Sequence, residues 1–334
     1  MSCHGSGTLD YFALRDDKHY WFHDNTVVAY RVFNGVCLVS PDPVGPAAER
    51  HDAWCSFRGY VEARGWSTAV LGATGDWLGL YRRSGMRALY LGDEAIVDVS
   101  AFGLEGRRFK GLRQAVNRVA RHGYTFELVD PGALDPTTKE QLQALAVESR
   151  HGDGERGFSM TLGRLFDPAD RGLLLAFVRG PDTRPAAFCQ FVPAPAIGGY
   201  SLDLMRRSTA EHPNGLLDFV LLGTIAELAQ RGATHLSLNF AAMRAVVADD
   251  AGTHWAHQYQ RLVLRGLSRS LQIESLWRFS AKYDPTWSPR YILFDARDQI
   301  APVGVAALRA EQAARDLPLI GGLLACGHRA RSAS

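Results

Sequence analysis

The sequence has no cysteine pattern of the kind that holds a structural metal or a disulfide framework. Its five cysteines are far apart, at Cys3, Cys37, Cys55, Cys189 and Cys326. An odd, scattered set in a sequence without a signal peptide is typical of proteins in the reducing cytoplasm. We therefore expect free thiols and no metal site.

A strong net charge and a long apolar run are also missing. The 37 basic residues nearly balance 35 acidic ones, for a net charge of +2. Any attraction to polyanions must therefore come from local clusters of charge. No stretch has the length and apolarity of a transmembrane helix. We expect no integral membrane anchor in this sequence, whereas a role at a membrane surface stays open.

Two motifs that identify common enzyme classes are absent. The sequence contains no G-x-S-x-G and no G-x-x-x-x-G-K-[ST]. A serine-hydrolase nucleophile elbow and a nucleoside-triphosphate phosphate loop therefore have no support.

What the sequence does contain is a strand, loop, helix and strand between residues 199 and 240. Residues 200–205 alternate as in a strand, and the apolar stripe over 216–231 predicts an amphipathic helix. Such a unit places free N–H groups and the positive end of a helix dipole at the mouth of a sheet, which suits a phosphate or a polarised carbonyl. Asn214 and Gly215, in the loop, are therefore candidate substrate-binding residues.

Two charged residues, Asp203 and Arg206, come near the end of the first of these strands. They would lie beside the mouth of the sheet, which makes them candidate catalytic residues. The alternative is an ordinary strand-to-helix connection with a surface salt bridge, since any α/β protein contains several such units.

The same order of elements occurs twice in the chain. Strands at 26–32 and 36–40 meet at Asn34-Gly35 as a hairpin, and a Pro/Gly loop, helix, strand, helix and strand follow. The second half repeats this order from 200 to 295. We interpret the repeat as a duplication and predict an α/β (α+β) fold of two tandem GCN5-related N-acetyltransferase-like folds.

The repeat also predicts the domain boundaries. Residues 9–123 form the N-terminal fold and end in a basic linker helix. Residues 124–316 form the C-terminal fold, which carries most of the active site, and residues 317–334 form a tail. The apolar start of the tail is too short to cross a bilayer, and we predict that it packs on the domain.

The linker between the copies is strongly basic. Over residues 105–123, six cations face a single carboxylate, and they are Arg107, Arg108, Lys110, Arg113, Arg118 and Arg121. A solvated helix face is the simpler interpretation of such a segment. The lack of matching acids favours contact with the phosphates of nucleic acid or of lipid headgroups, and the first four cations are candidate binding residues.

A second candidate catalytic segment is the predicted helix over 274–283, which contains Lys282 near its end. A lysine there can simply be a partner of the helix dipole with its methylenes on neighbouring aromatics. In the predicted fold, however, the helix ends beside the same cleft as Arg206, so we expect these two cations to converge.

Six separated motifs resemble the C-terminal transferase domain of aminoacyl-phosphatidylglycerol synthases, the multiple peptide resistance factor family, and most closely its actinobacterial members. They are F-A-L-R-D-D-K-H-Y-W-F at 12–22, V-S-P-D-P-V-G-P at 39–46, K-G-L-R-Q-A-V-N-R-V at 110–119, Y-S-L-D-L-M-R-R at 200–207, L-S-L-N-F at 236–240 and F-S-A-K-Y-D-P-T-W-S-P-R-Y at 279–291. The resemblance extends over residues 10–297.

The resemblance implies transfer of an aminoacyl group from aminoacyl-tRNA to the hydroxyl of a membrane glycerolipid, at the inner face of the cytoplasmic membrane. Such transfer alters membrane surface charge and antimicrobial resistance. Family functional positions match Asp203, Arg206 and Lys282, and the matching motifs add Asn239 and Arg290 as candidate binding residues. Aminoacyl-tRNA is a co-substrate, and no cofactor is implied. Many relatives carry an N-terminal membrane flippase region that this sequence lacks, so we expect a freestanding enzyme or one domain of a membrane protein.

For the chemistry, we assign Lys282 and Arg206 to a phosphate or to the negative charge that develops in the transition state. Asp203 would orient Arg206 or the amino group, and either Asp203 or a substrate group would take the hydroxyl proton. The transferred amino acid stays open, and the acceptor is phosphatidylglycerol or diacylglycerol. Two alternatives remain: an acyl-CoA N-acetyltransferase, although its usual glycine-rich pyrophosphate loop is here only P-N-G, and a non-catalytic module that binds anionic lipid or tRNA.

Overall fold

The structure, a computed structural model, describes residues 7–150, 157–242, 273–295 and 300–311 of the chain, with the backbone alone at 240–242 and 273–276. The tail predicted for 317–334 lies outside these residues. Within them, eleven strands form one continuous sheet. The strands are β1 His19–His23, β2 Thr26–Phe33, β3 Val36–Val39, β4 Ser67–Ala73, β5 Arg87–Asp98, β6 Thr125–Val129, β7 Leu174–Arg179, β8 Pro185–Ala194, β9 Gly199–Arg207, β10 His235–Ala242 and β11 Thr286–Phe294. The α-helices are α1 Arg50–Glu62, α2 Gly75–Arg83, α3 Lys110–Arg121, α4 Pro136–Glu148, α5 Leu216–Gln230, α6 Ile273–Ala281 and α7 Ile300–Ala310.

The predicted duplication is confirmed by the order of these elements. In the first copy, β3 is followed by a loop, α1, β4, α2 and β5; in the second, β9 is followed by a loop, α5, β10, α6 and β11. The strands on either side of the loop and first helix pair in parallel in both copies, β3 with β4 and β9 with β10. This is the connection that a crossover helix makes between parallel strands.

The two copies exchange their last strands. The sheet order is β1-β2-β3-β4-β11-β5-β10-β9-β8-β7-β6, so β11 of the second copy pairs with β4 of the first. In the same way β5 of the first copy pairs with β10 of the second, and β5 and β11 pair antiparallel at the centre. The boundary after residue 123 stays a prediction, and the hydrogen bonds of each copy include a strand from the other.

Helices cover both faces of the sheet. On the α5 face, α1 and α2 cover one end and α3, α5 and α6 the other, and the apolar side chains of β5, β8 and β10 pack beneath α5. On the α4 face, α4 covers one end and α7 packs on β2 and β3. Between α4 and α7, the irregular segments 7–18 and 157–173 lie over the centre of the sheet. The central strands are therefore covered on both faces, which explains why few of them alternate cleanly between apolar and polar residues, whereas the edge strand β1 is largely exposed.

Three elements differ from the sequence-based expectation. β1 and α7 were not predicted, although Val303, Ala306, Ala307 and Ala310 of α7 are buried at helical spacing. β11 begins at Thr286 instead of 290, and so includes Pro289. At Pro289 the strand is paired on one side only, with Asp93 of β5, because β4 pairs with β11 only from Tyr291 onward. Proline is tolerated where one side of a strand is unpaired.

A buried lysine fastens the N-terminal segment to the sheet and predicts a pH effect on stability. Lys18 Nζ donates to the carbonyls of Phe12 at 3.0 Å and Ser40 at 2.8 Å, and lies 4.4 Å from the centre of the Phe158 ring. Burial lowers the pKa of Lys18 to about 7, against the opposing attraction of Glu311 and Asp17.

Between pH 7 and pH 10 the unfolded chain thus carries a proton on Lys18 that the folded chain has lost. The free energy of unfolding should therefore rise with pH in this window, by up to about 1.4 kcal/mol per pH unit. In Lys18→Met this contribution should disappear, as urea titrations at a series of pH values would show. The surface variant Lys139→Met is the control, and an unchanged pH slope in Lys18→Met would contradict the assignment.

Candidate active site

The side chain of Lys282 lies on the α5 face, directly after the end of α6. Its Nζ is 3.0 and 3.1 Å from the two carboxylate oxygens of Asp218, in the first turn of α5, and 4.8 Å from the centre of the Phe279 ring. The neighbouring Tyr283 is fully buried, and its hydroxyl donates to the same carboxylate at 2.8 Å. Burial, together with the charge of Asp218, raises the pKa of Tyr283 well above its usual value, so the hydroxyl stays a donor.

Asp218 is the site residue that the sequence analysis missed. Its side chain is 10% exposed, whereas that of Lys282 is 42% exposed. A signal was available in the sequence, since Asp218 is the sole charge in the apolar run from 216 to 225. Buried carboxylates need a partner, and here the partner comes from a segment far along the chain.

The basic linker lies next to Lys282. Arg108 forms an ion pair with Asp284, two residues beyond Lys282. α3 packs against α5 through Leu112, Ala115 and Val119 and carries its cations on the outer side. Among the candidate binding residues, Arg107, Arg108 and Lys110 are exposed. The structure thus brings Lys282 together with the first cations of the linker.

Arg113 and Arg118 are used within the fold. The guanidinium of Arg113 donates to the carbonyls of Leu104 and Gly106, so it closes the turn that leads into α3. Arg118 donates to the carbonyl of Asn214 at 3.2 Å. These two contacts fix α3 to the loops around it.

The loop before α5 is packed, in contrast to the open mouth expected from the sequence. Gly215 has a φ of 100°, and a Cβ atom on it would lie 2.5 Å from Cβ of Ala115 in α3. Asp218 also places a carboxylate in the first turn of the helix, at the end where a phosphate or a carbonyl was expected to bind. Glycine at 215 is therefore explained by the left-handed backbone and the close approach of α3, and Asn214 contributes its carbonyl to Arg118.

Asp203 lies on the other side of the sheet. Its carboxylate accepts a hydrogen bond from the backbone N–H of Leu162 at 2.8 Å and one from Nε2 of Gln190 at 2.7 Å, and the residue is 9% exposed. Gln190 also donates to the carbonyl of Arg164 at 3.2 Å. The 157–173 segment thus covers Asp203 and fixes the orientation of its carboxylate.

Arg206 leaves β9 on the α4 face. It pairs across the sheet with Phe188, which packs in the cluster beneath α4, and such cross-strand neighbours share a face. Its Nη1 donates to the carbonyl of Met205 at 3.0 Å. Arg206 and Lys282 therefore lie on opposite faces, and the expected convergence of these two cations on one side of the sheet is not observed.

The sheet opens between β9 and β10. These strands pair only at Tyr200 with Leu236 and Ser201 with Ser237, and they diverge beyond that point. Asn239, at a bulge with a φ of 69°, reaches across the opening and donates Nδ2 to the carbonyls of Leu202 at 3.1 Å and Met160 at 2.9 Å. Asp203 lies on one side of this opening and α5 lies on the other.

Arg290 belongs to a buried network beside this opening. Its guanidinium pairs with Glu94, which is 1% exposed, and donates to the carbonyl of Gly72 at 3.1 Å and to the hydroxyl of Thr8. The other oxygen of Glu94 accepts from Ser237 at 2.5 Å. Arg290 is 5% exposed, and its guanidinium holds the central strands together.

Two buried oxygens near Asp203 lack a hydrogen-bond partner among the residues that the structure describes. They are Oε1 of Gln190 and Oγ of Ser201, both in fully buried residues. In the same described ranges, we find no cluster of three metal-ligating side chains, and none of the helices has the length and apolarity needed to cross a bilayer.

Comparison with known proteins finds relatives over most of the chain. A family model described as phosphatidylglycerol lysyltransferase, C-terminal, matches residues 3–294. The lysylphosphatidylglycerol biosynthesis bifunctional protein LysX of Nocardia farcinica is 40% identical over 312 residues, which cover 91% of this chain and 27% of that protein. The chain therefore spans just over a quarter of the length of this relative.

Two solved structures are also similar. That of L-PGS from Bacillus licheniformis has a TM-score of 0.82 at 22% identity and covers 92% of this chain and 93% of its own, which shows a shared fold. The C-terminal domain of a putative lysylphosphatidylglycerol synthetase from Agrobacterium fabrum has a TM-score of 0.73 at 27% identity and covers 87% of this chain and 89% of its own.

Proposed function

Because the chain belongs to the phosphatidylglycerol lysyltransferase C-terminal family, we propose that it transfers an aminoacyl group from aminoacyl-tRNA to the hydroxyl of a membrane glycerolipid. The observation that carries this proposal is the position of Lys282, fixed by Asp218 and adjoining an exposed basic surface. The names of the relatives favour phosphatidylglycerol as the acceptor and lysine as the transferred amino acid.

The basic surface at the start of α3 is the proposed site for the tRNA backbone. Arg107, Arg108 and Lys110 are exposed there, and phosphate contacts of this kind supply most of the sequence-independent affinity for nucleic acid. Asp284 links Arg108 to the segment of Lys282. A tRNA end bound along α3 would thus bring its terminal ester toward Lys282.

The reaction exchanges one ester for another, so it needs little driving force. The lipid hydroxyl attacks the aminoacyl carbonyl, a tetrahedral oxyanion forms, and the terminal ribose oxygen of the tRNA leaves with a proton. Positioning of the two substrates and stabilisation of the oxyanion by a fixed cation would supply most of the rate. We assign the oxyanion or an adjoining phosphate to Lys282.

The opposite side of the opening offers hydrogen-bond acceptors. Asp203 is held rigidly by Leu162 and Gln190, and Oε1 of Gln190 and Oγ of Ser201 are the nearby buried oxygens without a partner in the described ranges. Acceptors beside a carboxylate suit an ammonium group. We assign this side to the amino group of the aminoacyl ester, which would extend through the opening between β9 and β10.

The product would carry an added amino group on the lipid headgroup, so it would reduce the negative charge of the membrane surface and with it the binding of cationic antimicrobial peptides. The enzyme would act as a peripheral protein at the inner face of the cell membrane. An N-terminal membrane flippase domain of the family is the proposed partner for moving the product.

A direct assay tests the function. The protein is mixed with tRNAs charged with radiolabelled lysine, alanine or arginine and with vesicles that contain phosphatidylglycerol or diacylglycerol. The expected result is labelled lipid that depends on both substrates. Binding of tRNA and vesicles without labelled lipid would support the non-catalytic module, and acetyl-CoA binding with amine acetylation would support the N-acetyltransferase.

The basic surface predicts a salt-dependent loss of tRNA affinity. In Arg107→Gln/Lys110→Gln, the slope of log K against log salt should fall by about one to two, and the affinity about tenfold, because each lost phosphate contact releases about one counterion fewer. Fluorescence anisotropy with labelled tRNA measures both quantities. The matched control is Arg82→Gln/Arg83→Gln at the exposed end of α2, and equal losses in both variants would contradict a specific site on α3.

A further inference from the structure

We infer that Asp218 is a positioning residue for the transfer reaction, which acts by holding the Lys282 ammonium at the reacting carbonyl. The inference rests on the proposed function. It extends that function to a residue in the first turn of α5, far from Lys282 in the chain and opposite to it in charge.

Both oxygens of Asp218 contact the Lys282 ammonium, at 3.0 and 3.1 Å. An isolated surface lysine samples many rotamers, and fixing its side chain costs conformational entropy. Two contacts to one carboxylate meet that cost before the substrate binds. The ammonium is therefore in place when the carbonyl arrives, which is the condition for strong stabilisation of a developing charge.

The carboxylate is itself fixed. It belongs to the first turn of α5, whose backbone is packed against α3 at Gly215, and it accepts the hydroxyl of the fully buried Tyr283 at 2.8 Å. Asp218 and Tyr283 are both buried, so Lys282 is the exposed member of the three. A small change at Asp218 would therefore move the cation.

One donor of the ammonium remains available for a ligand. An ammonium has three N–H donors, and two of them point to Asp218. Within the described part of the chain we find no other hydrogen-bond acceptor for Lys282 Nζ, and 42% of its side chain is exposed. The ammonium is thus held by Asp218, while a large part of the Lys282 side chain stays exposed.

The test is a double-mutant cycle on the full chain, with tRNA carrying whichever amino acid the wild-type protein transfers. Asp218→Asn keeps the shape of the side chain and removes its charge. We expect kcat to fall about 10- to 100-fold, since misplacement of about 1 Å has effects of this size, while KM for the charged tRNA changes less than threefold. In a Lys282→Ala background the same substitution should cause no further loss, because the group on which it acts is gone.

Asp42→Asn is the matched control. Asp42 is also a buried carboxylate that accepts a tyrosine hydroxyl, from Tyr81 at 2.7 Å, but it lies in the first copy. The Asp42→Asn substitution should lower the melting temperature and leave kcat per folded molecule unchanged. If Asp218→Asn does not fold, Tyr283→Phe takes its place, with an expected loss of about 3- to 10-fold in kcat that also vanishes in the Lys282→Ala background.

An equal loss from Asp218→Asn in both backgrounds, or a loss confined to KM, would overturn the positioning role. A wild-type protein without transfer activity would instead refute the proposed function. The two failures are therefore distinguishable.

Discussion

Lys282→Ala is expected to lower kcat for aminoacyl transfer by about 10²- to 10³-fold, the loss measured when one donor to an oxyanion is removed. The reason is the geometry of the ammonium, which is fixed by Asp218 at 3.0 and 3.1 Å and keeps its remaining donor for a ligand. Initial rates of lipid labelling at saturating tRNA and vesicle concentrations measure the effect. KM should change much less, because the tRNA contacts of α3 are retained.

Stability must be measured alongside the rate of Lys282→Ala. The substitution leaves Asp218 with Tyr283 as its remaining partner, so a lower melting temperature is expected, and rates are compared per folded molecule. Lys139→Ala, on α4, is the control lysine and should match the wild type in kcat. Full activity in folded Lys282→Ala would remove the lysine from the mechanism.

Arg290→Met is expected to destabilise the fold by about 3–5 kcal/mol, because it leaves the charge of Glu94 buried and uncompensated. Glu94 is 1% exposed and Arg290 is 5% exposed, and they join the central strands β5 and β11. Urea denaturation followed by circular dichroism gives the free energy of unfolding.

The double variant Glu94→Leu/Arg290→Met separates a structural role from the substrate contact expected from the sequence. Replacing both charges with apolar groups should recover most of the lost stability, since neither charge is then buried alone. If the role of Arg290 is structural, the double variant keeps transfer activity. A stable double variant with no activity would instead support a contact between Arg290 and a substrate.

The fold was largely predictable because its signals are local. The hairpin at Asn34-Gly35, the helix over 216–231 and the repeated order of elements all follow from turn residues and apolar periodicity. The family resemblance drawn from six motifs is confirmed by the match over residues 3–294. The two-copy α/β fold is confirmed as well.

The arrangement of the site was harder to predict because it depends on contacts between distant segments. Nothing in the sequence around Asp218 identifies Lys282 as its partner, which lies just after the end of α6, 64 residues along the chain. Periodicity gives the face of a side chain only if the strand is regular, and a register shift in the pairing of β8 with β9 lies beside Asp203. The expected meeting of Arg206 with Lys282 was wrong, because the two side chains lie on opposite faces of the sheet, and the pairing of Lys282 with Asp218 was missed.

The exchange of strands between the copies determines when the protein can finish folding. On the ribosome, β4 leaves the exit tunnel long before β11, its neighbour in the sheet. Until β11 is synthesised, the edge of β4 in the nascent first half therefore lacks its final partner, and such an unpaired edge recruits chaperones or aggregates. Neither half reaches its final hydrogen bonding until the segment near residue 290 has been synthesised. Lys282, in that same late segment, is thus synthesised together with the strand that completes the fold.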